Sequence, residues 1–208
     1  MDENMKKRNE RLAQTVIKGL QSRNMTGYYA EDKEAALKQA LELIEENSTI
    51  SMGGCMSAHE IGLVQALQEG NYQYLDRSKM ESREGLLAAY DSDVFLSSAN
   101  AMTSDGILVN IDGNSNRVSC IAQGPKKVIF IVGMNKVCDD LDSAMKRARN
   151  VAAPINAQRF EVKTPCKETG KCFDCKSPDT ICCQFLITRY SRHTGRIHVI
   201  LVNDNLGF

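Results

Sequence analysis

Gly124-Pro125-Lys126-Lys127-Val128-Ile129-Phe130-Ile131-Val132 is the stretch that decides the fold. Gly-Pro breaks the chain, and an unbroken run of β-branched and aromatic residues follows, the pattern of a strand buried on both faces. The next periodic segment is a helix. Leu141, Ala144, Met145 and Ala148 share one face, with Asp139 and Asp140 at the start and Arg147 and Arg149 near the end, an order that suits the helix dipole. A strand buried on both faces and followed by an amphipathic helix predicts a parallel sheet covered by helices.

Working outward, the same alternation recurs. Upstream, residues 48–52 and 93–96 read as strands, 71–75 as a further strand, and about 57–68 and 81–90 as helices. Ser57 and Glu60 stand at the spacing of a capping box. Residues 107–111 and 117–121 flank Asp112-Gly113-Asn114, a hairpin signal, which places Cys120 in a strand as core packing. Leu12, Val16, Ile17 and Leu20, then Leu37, Leu41 and Ile44, mark two N-terminal helices joined by a turn-rich link over 24–29. Two strands, 184–190 and 196–202, close the chain. The expected architecture is α/β with a mostly parallel sheet flanked by helices. Residues 1–46 form a helical segment packed on a domain of residues 47–208, which contains a cysteine-rich loop at 164–183.

The 208 residues carry 26 Lys+Arg against 26 Asp+Glu, so no net charge argues for nucleic acid or an anionic membrane as partner. No apolar run approaches the roughly 18 residues of a membrane span. Met1-Asp2-Glu3-Asn4-Met5-Lys6-Lys7-Arg8 is charged rather than an apolar leader, which leads us to expect a cytoplasmic protein with reduced thiols.

Eight cysteines then stand out, five of them between Cys166 and Cys183. Cys166, Cys172, Cys175 and Cys182 give Cys-x5-Cys-x2-Cys-x6-Cys, punctuated by Thr164-Pro165, Gly170 and Ser177-Pro178. Four thiolates free of helical restraint can close a tetrahedral site for zinc or hold an iron–sulfur cluster. Cys183, next to Cys182, leaves the fourth ligand open between the two.

Met52-Gly53-Gly54-Cys55-Met56-Ser57 is a strand, a paired-glycine turn and a helix start, a cradle in which backbone N–H groups meet an anion. Cys55 there is either a small turn filler or a thiol activated by the helix terminus, and His59 either an acid–base group or an exposed polar residue. Residues 97–106 follow a buried strand, where ligand sites of open α/β sheets gather, and 112–117 add polar groups. We therefore expect one pocket with Gly53, Gly54 and Ser57 on one wall and Asn100, Thr103 and Asp105 on the other, holding a small phosphate or carboxylate. Lys126 reads as a solvated strand-end residue or an added positive charge.

Taken together, Gly53-Gly54-Cys55-Met56-Ser57, residues 98–106, Val109-Asn110-Ile111-Asp112-Gly113, Gly124-Pro125-Lys126-Lys127, residues 152–157, the cysteine loop and Leu206-Gly207-Phe208 resemble the LUD-domain proteins linked to lactate utilisation. The branch it looks most similar to carries the Thr-Pro-Cys…Gly-Lys-Cys-x2-Cys…Ile-Cys loop. The resemblance implies the fold of ribose-5-phosphate isomerase, glucosamine-6-phosphate deaminase and the CoA transferases. In the sugar-phosphate isomerases a Gly-Ala-Asp string supplies a catalytic aspartate. Here the similar string is Ser98-Ala99-Asn100, whose amide cannot take a proton. No position matches the transferases' acyl-accepting glutamate. The resemblance implies a redox accessory of organic-acid utilisation, with a four-iron four-sulfur cluster favoured over zinc and redox partner subunits. The alternatives are a small-molecule enzyme with structural zinc, or a non-catalytic binding or assembly module; a homo-oligomer is open to all three.

Overall fold

The computed structural model describes residues 2–208. Helices α1 (Glu3–Ser22) and α2 (Lys33–Glu42) flank strand β1 (Thr26–Ala30). Strand β2 (Thr49–Met52) leads into α3 (Met56–Glu60) and α4 (Leu63–Glu69), and β3 (Gln73–Tyr74), α5 (Ser82–Asp91) and β4 (Val94–Ser97) follow. Next come β5 (Ala101–Thr103), β6 (Leu108–Asp112), α6 (Asn116–Ala122), β7 (Lys127–Gly133) and β8 (Val137–Cys138). Helix α7 (Leu141–Arg147) runs through a π turn (Ala148–Ala152) into α8 (Ala153–Ala157), before α9 (Pro165–Thr169), β9 (Gln184–Thr188) and β10 (Ile197–Val202).

Six strands form a parallel sheet in the order β1-β10-β7-β4-β2-β3. The run around Phe130 is apolar throughout because both of its faces are buried. Val128, Phe130 and Val132 join Val16, Leu20 and Phe95 in one core, while Ile129 and Ile131 join Ile50, Leu67 and Leu96 in the other. A second, four-stranded sheet, β8-β5-β6-β9, stands at the C-terminal end of the first and mixes parallel and antiparallel pairs.

Three expectations are corrected. The link over 24–29 contains β1, whose Tyr28 and Tyr29 pair in parallel with Ile200 and Leu201; as an edge strand it lacks a continuous apolar run. The hairpin over 107–121 does not form: β6 pairs with β5 and β9, and residues 117–121 are helical. Asp112 turns the chain, its carboxylate accepting from the N–H groups of Gly113, Arg117 and Val118, so it caps the start of α6 instead of opening a return strand. Cys120 is buried, but on that helix. The helix over 57–68 is split at Gly62, whose φ of 77° lies in the left-handed region. No capping box forms there; the N-cap is Cys55, and Ser57 and Glu60 make other contacts. Among the described residues no helix is long and apolar enough to cross a membrane.

Candidate functional site

A cavity of about 410 Å³ opens at the C-terminal ends of the parallel strands. Gly54, Ser98, Asn100, Asp112, Arg117, Lys136 and Arg159 supply its polar lining, and Phe160, Val162, Ile181 and Phe208 its apolar wall. Chain crossings of this kind, beyond the carboxyl ends of parallel strands, leave a crevice that ligands use.

Three cations converge on it. Lys136 is only 3% exposed, at the end of the turn after β7. Its ammonium donates to Ser98 Oγ at 3.0 Å and Ser57 Oγ at 3.5 Å. Burial lowers its pKa from 10.5 to about 8; Arg147 and Arg117 push the same way, against Cys55 and Glu60. Arg117 donates to Asn100 Oδ1 at 3.0 Å, Ile111 O at 2.5 Å and Gly54 O at 3.4 Å, and burial lowers its pKa too. Arg159 lies exposed at the rim between the rings of Phe160 and Phe208. Among the described residues no carboxylate forms an ion pair with any of the three. Asp112, the acid in the lining, spends its oxygens on backbone N–H groups.

The surroundings fix these groups. Asn100 Oδ1 accepts from Ile111 N–H at 2.8 Å as well as from Arg117, and Arg147 donates to the Asn100 and Asn135 carbonyls. Asn110 Nδ2 holds the Ser98 carbonyl at 2.8 Å. The segment after β10 closes over Lys136: Leu206 N–H donates to Asn135 Oδ1 and Gly207 N–H to Glu60 Oε2.

The structure brings together part of the expected set. Gly54 and Asn100 line the cavity and are bridged by Arg117. Gly53 stands behind them, where a Cβ would meet Arg117 Cγ at 2.7 Å, so its glycine makes room for the guanidinium. Ser57 is fully buried beneath, against Lys136. Thr103 and Asp105 do not join. Thr103 Oγ1 bonds the Asp105 carboxylate, which pairs with Arg23 at the C-cap of α1, and α1 packs so closely that a Cβ at Gly19 would clash with the Asp105 carbonyl. That turn anchors a helix. Cys55 is 2% exposed, and burial pushes its thiol up, not down; His59 is exposed on α3. Lys126 is not in the lining. Sequence reasoning missed Lys136, although a lysine in the turn after the longest parallel strand was a usable signal, and it assigned Arg117 to a strand.

A second, smaller cavity of about 50 Å³ is lined by Cys166, Cys172, Cys175 and Cys182, with Arg149, Phe173 and Phe185. Cys183 is exposed and outside it; its N–H goes to the Asp112 carbonyl. Cys172 Sγ accepts from Asp174 N–H at 3.4 Å and Arg149 Nη2 at 3.9 Å, and Asp174 takes a φ of 53° to close that turn. Burial and then the neighbouring cysteines push the Cys182 thiol up to about 11. The donor set suits a thiophilic metal, yet among the described residues no three Cys, His, Asp or Glu side chains stand in metal-holding geometry. Ile181 lines both cavities.

Residues 13–202 match the sequence model of the LUD domain. The chain belongs to the LUD-domain family. A solved DUF162-family protein from Deinococcus radiodurans has a similar fold, with a TM-score of 0.55 and 13% identity, covering 93% of this chain and 98% of that one. No curated protein matches the sequence. The LUD match runs from within α1 to the end of β10, so it takes in the cysteine-lined cavity and the larger one apart from Gly207 and Phe208.

Proposed function

We propose that this LUD-domain protein binds a small organic anion beside a thiolate-held metal centre and works as a redox component of organic-acid utilisation. The observation that carries the reading is Ile181, one residue shared between a cation-lined cavity and a cysteine-lined one. Arg117 and Arg159 take the anionic group, Asn100 and Ser98 offer neutral hydrogen bonds, and Phe160, Val162 and Phe208 shield them from water. Cys166, Cys172, Cys175 and Cys182 hold the metal, and Arg149 and the Asp174 N–H support the Cys172 thiolate. A four-iron four-sulfur cluster there would carry single electrons between the ligand side and a partner subunit. Phe173 and Phe185, exposed beside the cysteines, give such a partner an apolar surface.

Buried Lys136 favours a second reading, a small-molecule enzyme with structural zinc, because a buried unpaired ammonium is costly to hold for binding alone. Protein purified without oxygen separates the two. A brown sample with broad visible absorption supports the redox reading; a colourless protein with one zinc supports the second. In either case carboxylates or phosphorylated sugars should raise the melting temperature, and no shift with any of them defeats the anion pocket.

A further inference from the structure

We infer that Lys136 is a covalent catalytic residue, its amine forming a Schiff base with the carbonyl of a small aldehyde or ketone whose anionic group sits on Arg117. The inference rests on the anion-pocket reading and names the substrate class of that pocket. Its first support is placement. Lys136 is buried yet lines the cavity, and its nitrogen rests on two hydroxyls, Ser98 Oγ and Ser57 Oγ, instead of on a carboxylate that would hold it as an ammonium. Arg117 and Arg147 on neighbouring elements add positive charge that disfavours a further cation, while Glu60 opposes them and spends one oxygen on the Gly207 N–H.

The second support is the space above the amine. Gly207 packs over Lys136 with a φ of 54°, and a Cβ there would meet Lys136 Nζ and Ser57 Oγ at 3.1 Å each. Glycine keeps that approach open. The lowered pKa, about 8, agrees: near pH 7 on the order of a tenth of the lysine is free amine, against roughly three parts in ten thousand for an ordinary lysine.

The step balances within these groups. The free amine attacks the carbonyl carbon, the π pair moves to oxygen, and the nitrogen gives up a proton through the Ser98 hydroxyl. That proton passes to the alkoxide oxygen to give the carbinolamine, a second proton from solvent lets the oxygen leave as water, and the nitrogen lone pair closes a protonated C=N bond; no oxidant or reductant is consumed. A carboxylate and a phosphate are equivalent to Arg117, so the class includes 2-oxo acids and triose phosphates.

Reductive trapping tests it. The protein is incubated with sodium cyanoborohydride and either pyruvate or glyceraldehyde 3-phosphate, and adducts are mapped by peptide mass spectrometry. Trapping at Lys136 to about one equivalent is expected, suppressed by inorganic phosphate, lost in Lys136→Met and slowed at least about tenfold in Gly207→Ala, which crowds the amine without removing it. The probe that labels identifies the anion. If both probes raise the melting temperature without modifying Lys136, the Schiff base is overturned and the anion pocket stands. If they neither bind nor label, both readings fall.

Discussion

On one side of Ile181 the molecule gathers Lys136, Arg117 and Arg159, none ion-paired with a carboxylate among the described residues; on the other it gathers four cysteines. The two cavities leave opposite demands open, one for an anion and one for a cation. They also differ in how firmly they are built. The cation side is set just past β4 and β7 and on α6, with Ser98, Asn100 and Arg117 each tied to backbone, whereas the thiol side is a loop held by α9 and single turns. The contrast teaches that the first cavity takes its shape from regular elements packed against one another, and the second from a loop closed by local turns.

The largest expected effect breaks the thiol side. Cys172→Ser or Cys175→Ser should reduce bound metal from about one centre per chain to near zero, and because structural metal binding can contribute on the order of 10 kcal/mol, residues 163–183 should lose their protection from protease. Metal analysis with limited proteolysis checks this. Unchanged metal in both variants would show that the four thiols are not its ligands.

Next comes Lys136. Its folded pKa lies below its unfolded one, so the charged form costs stability below about pH 8, and that cost fades as pH rises toward 10.5. At about 1.4 kcal/mol per pH unit, the cost near pH 7 is about 3 kcal/mol. Lys136→Met should therefore be the more stable protein at pH 7 by about 1–3 kcal/mol, an advantage that shrinks above pH 8 in denaturant titrations. A variant less stable at pH 7 than at pH 10, relative to the parent, has the wrong sign.

The smallest effect sharpens the cation side. Asn100→Asp keeps the oxygen that accepts from Ile111 and Arg117 but places a negative charge on it. Anion affinity, followed by thermal shift with carboxylates or sugar phosphates, should fall by about tenfold, the size of one charge-assisted hydrogen bond. Asp105→Asn, at the turn that anchors α1, should leave that affinity unchanged. An equal loss in both would tie Asp105 to the pocket after all.

Much of the fold was legible because burial writes itself into composition. The 127–132 run, the apolar stripe of α7 and the Gly53-Gly54 break each carry their cause in local residues. What was not legible came from contacts distant in sequence. Tyr28 and Tyr29 read as link because their partners lie on β10, and Arg117 read as strand because Asp112 caps a helix where the turn residues suggested a hairpin. The site followed the same rule. Gly54 and Asn100 were found from local turn chemistry, but Lys136 gains its character from Ser57, Ser98 and Gly207, which no local window contains.

The order of the large sheet has a consequence for synthesis. β10 lies between β1 and β7, so β1 has no other strand to pair with. While the chain is still being made, β2, β3, β4 and β7 can assemble, but β1 must wait with both edges bare until residues 197–202 leave the ribosome. During that interval the edge of β7 that β10 will cover is open to any extended segment, so mispairing there competes with folding until the last strand arrives.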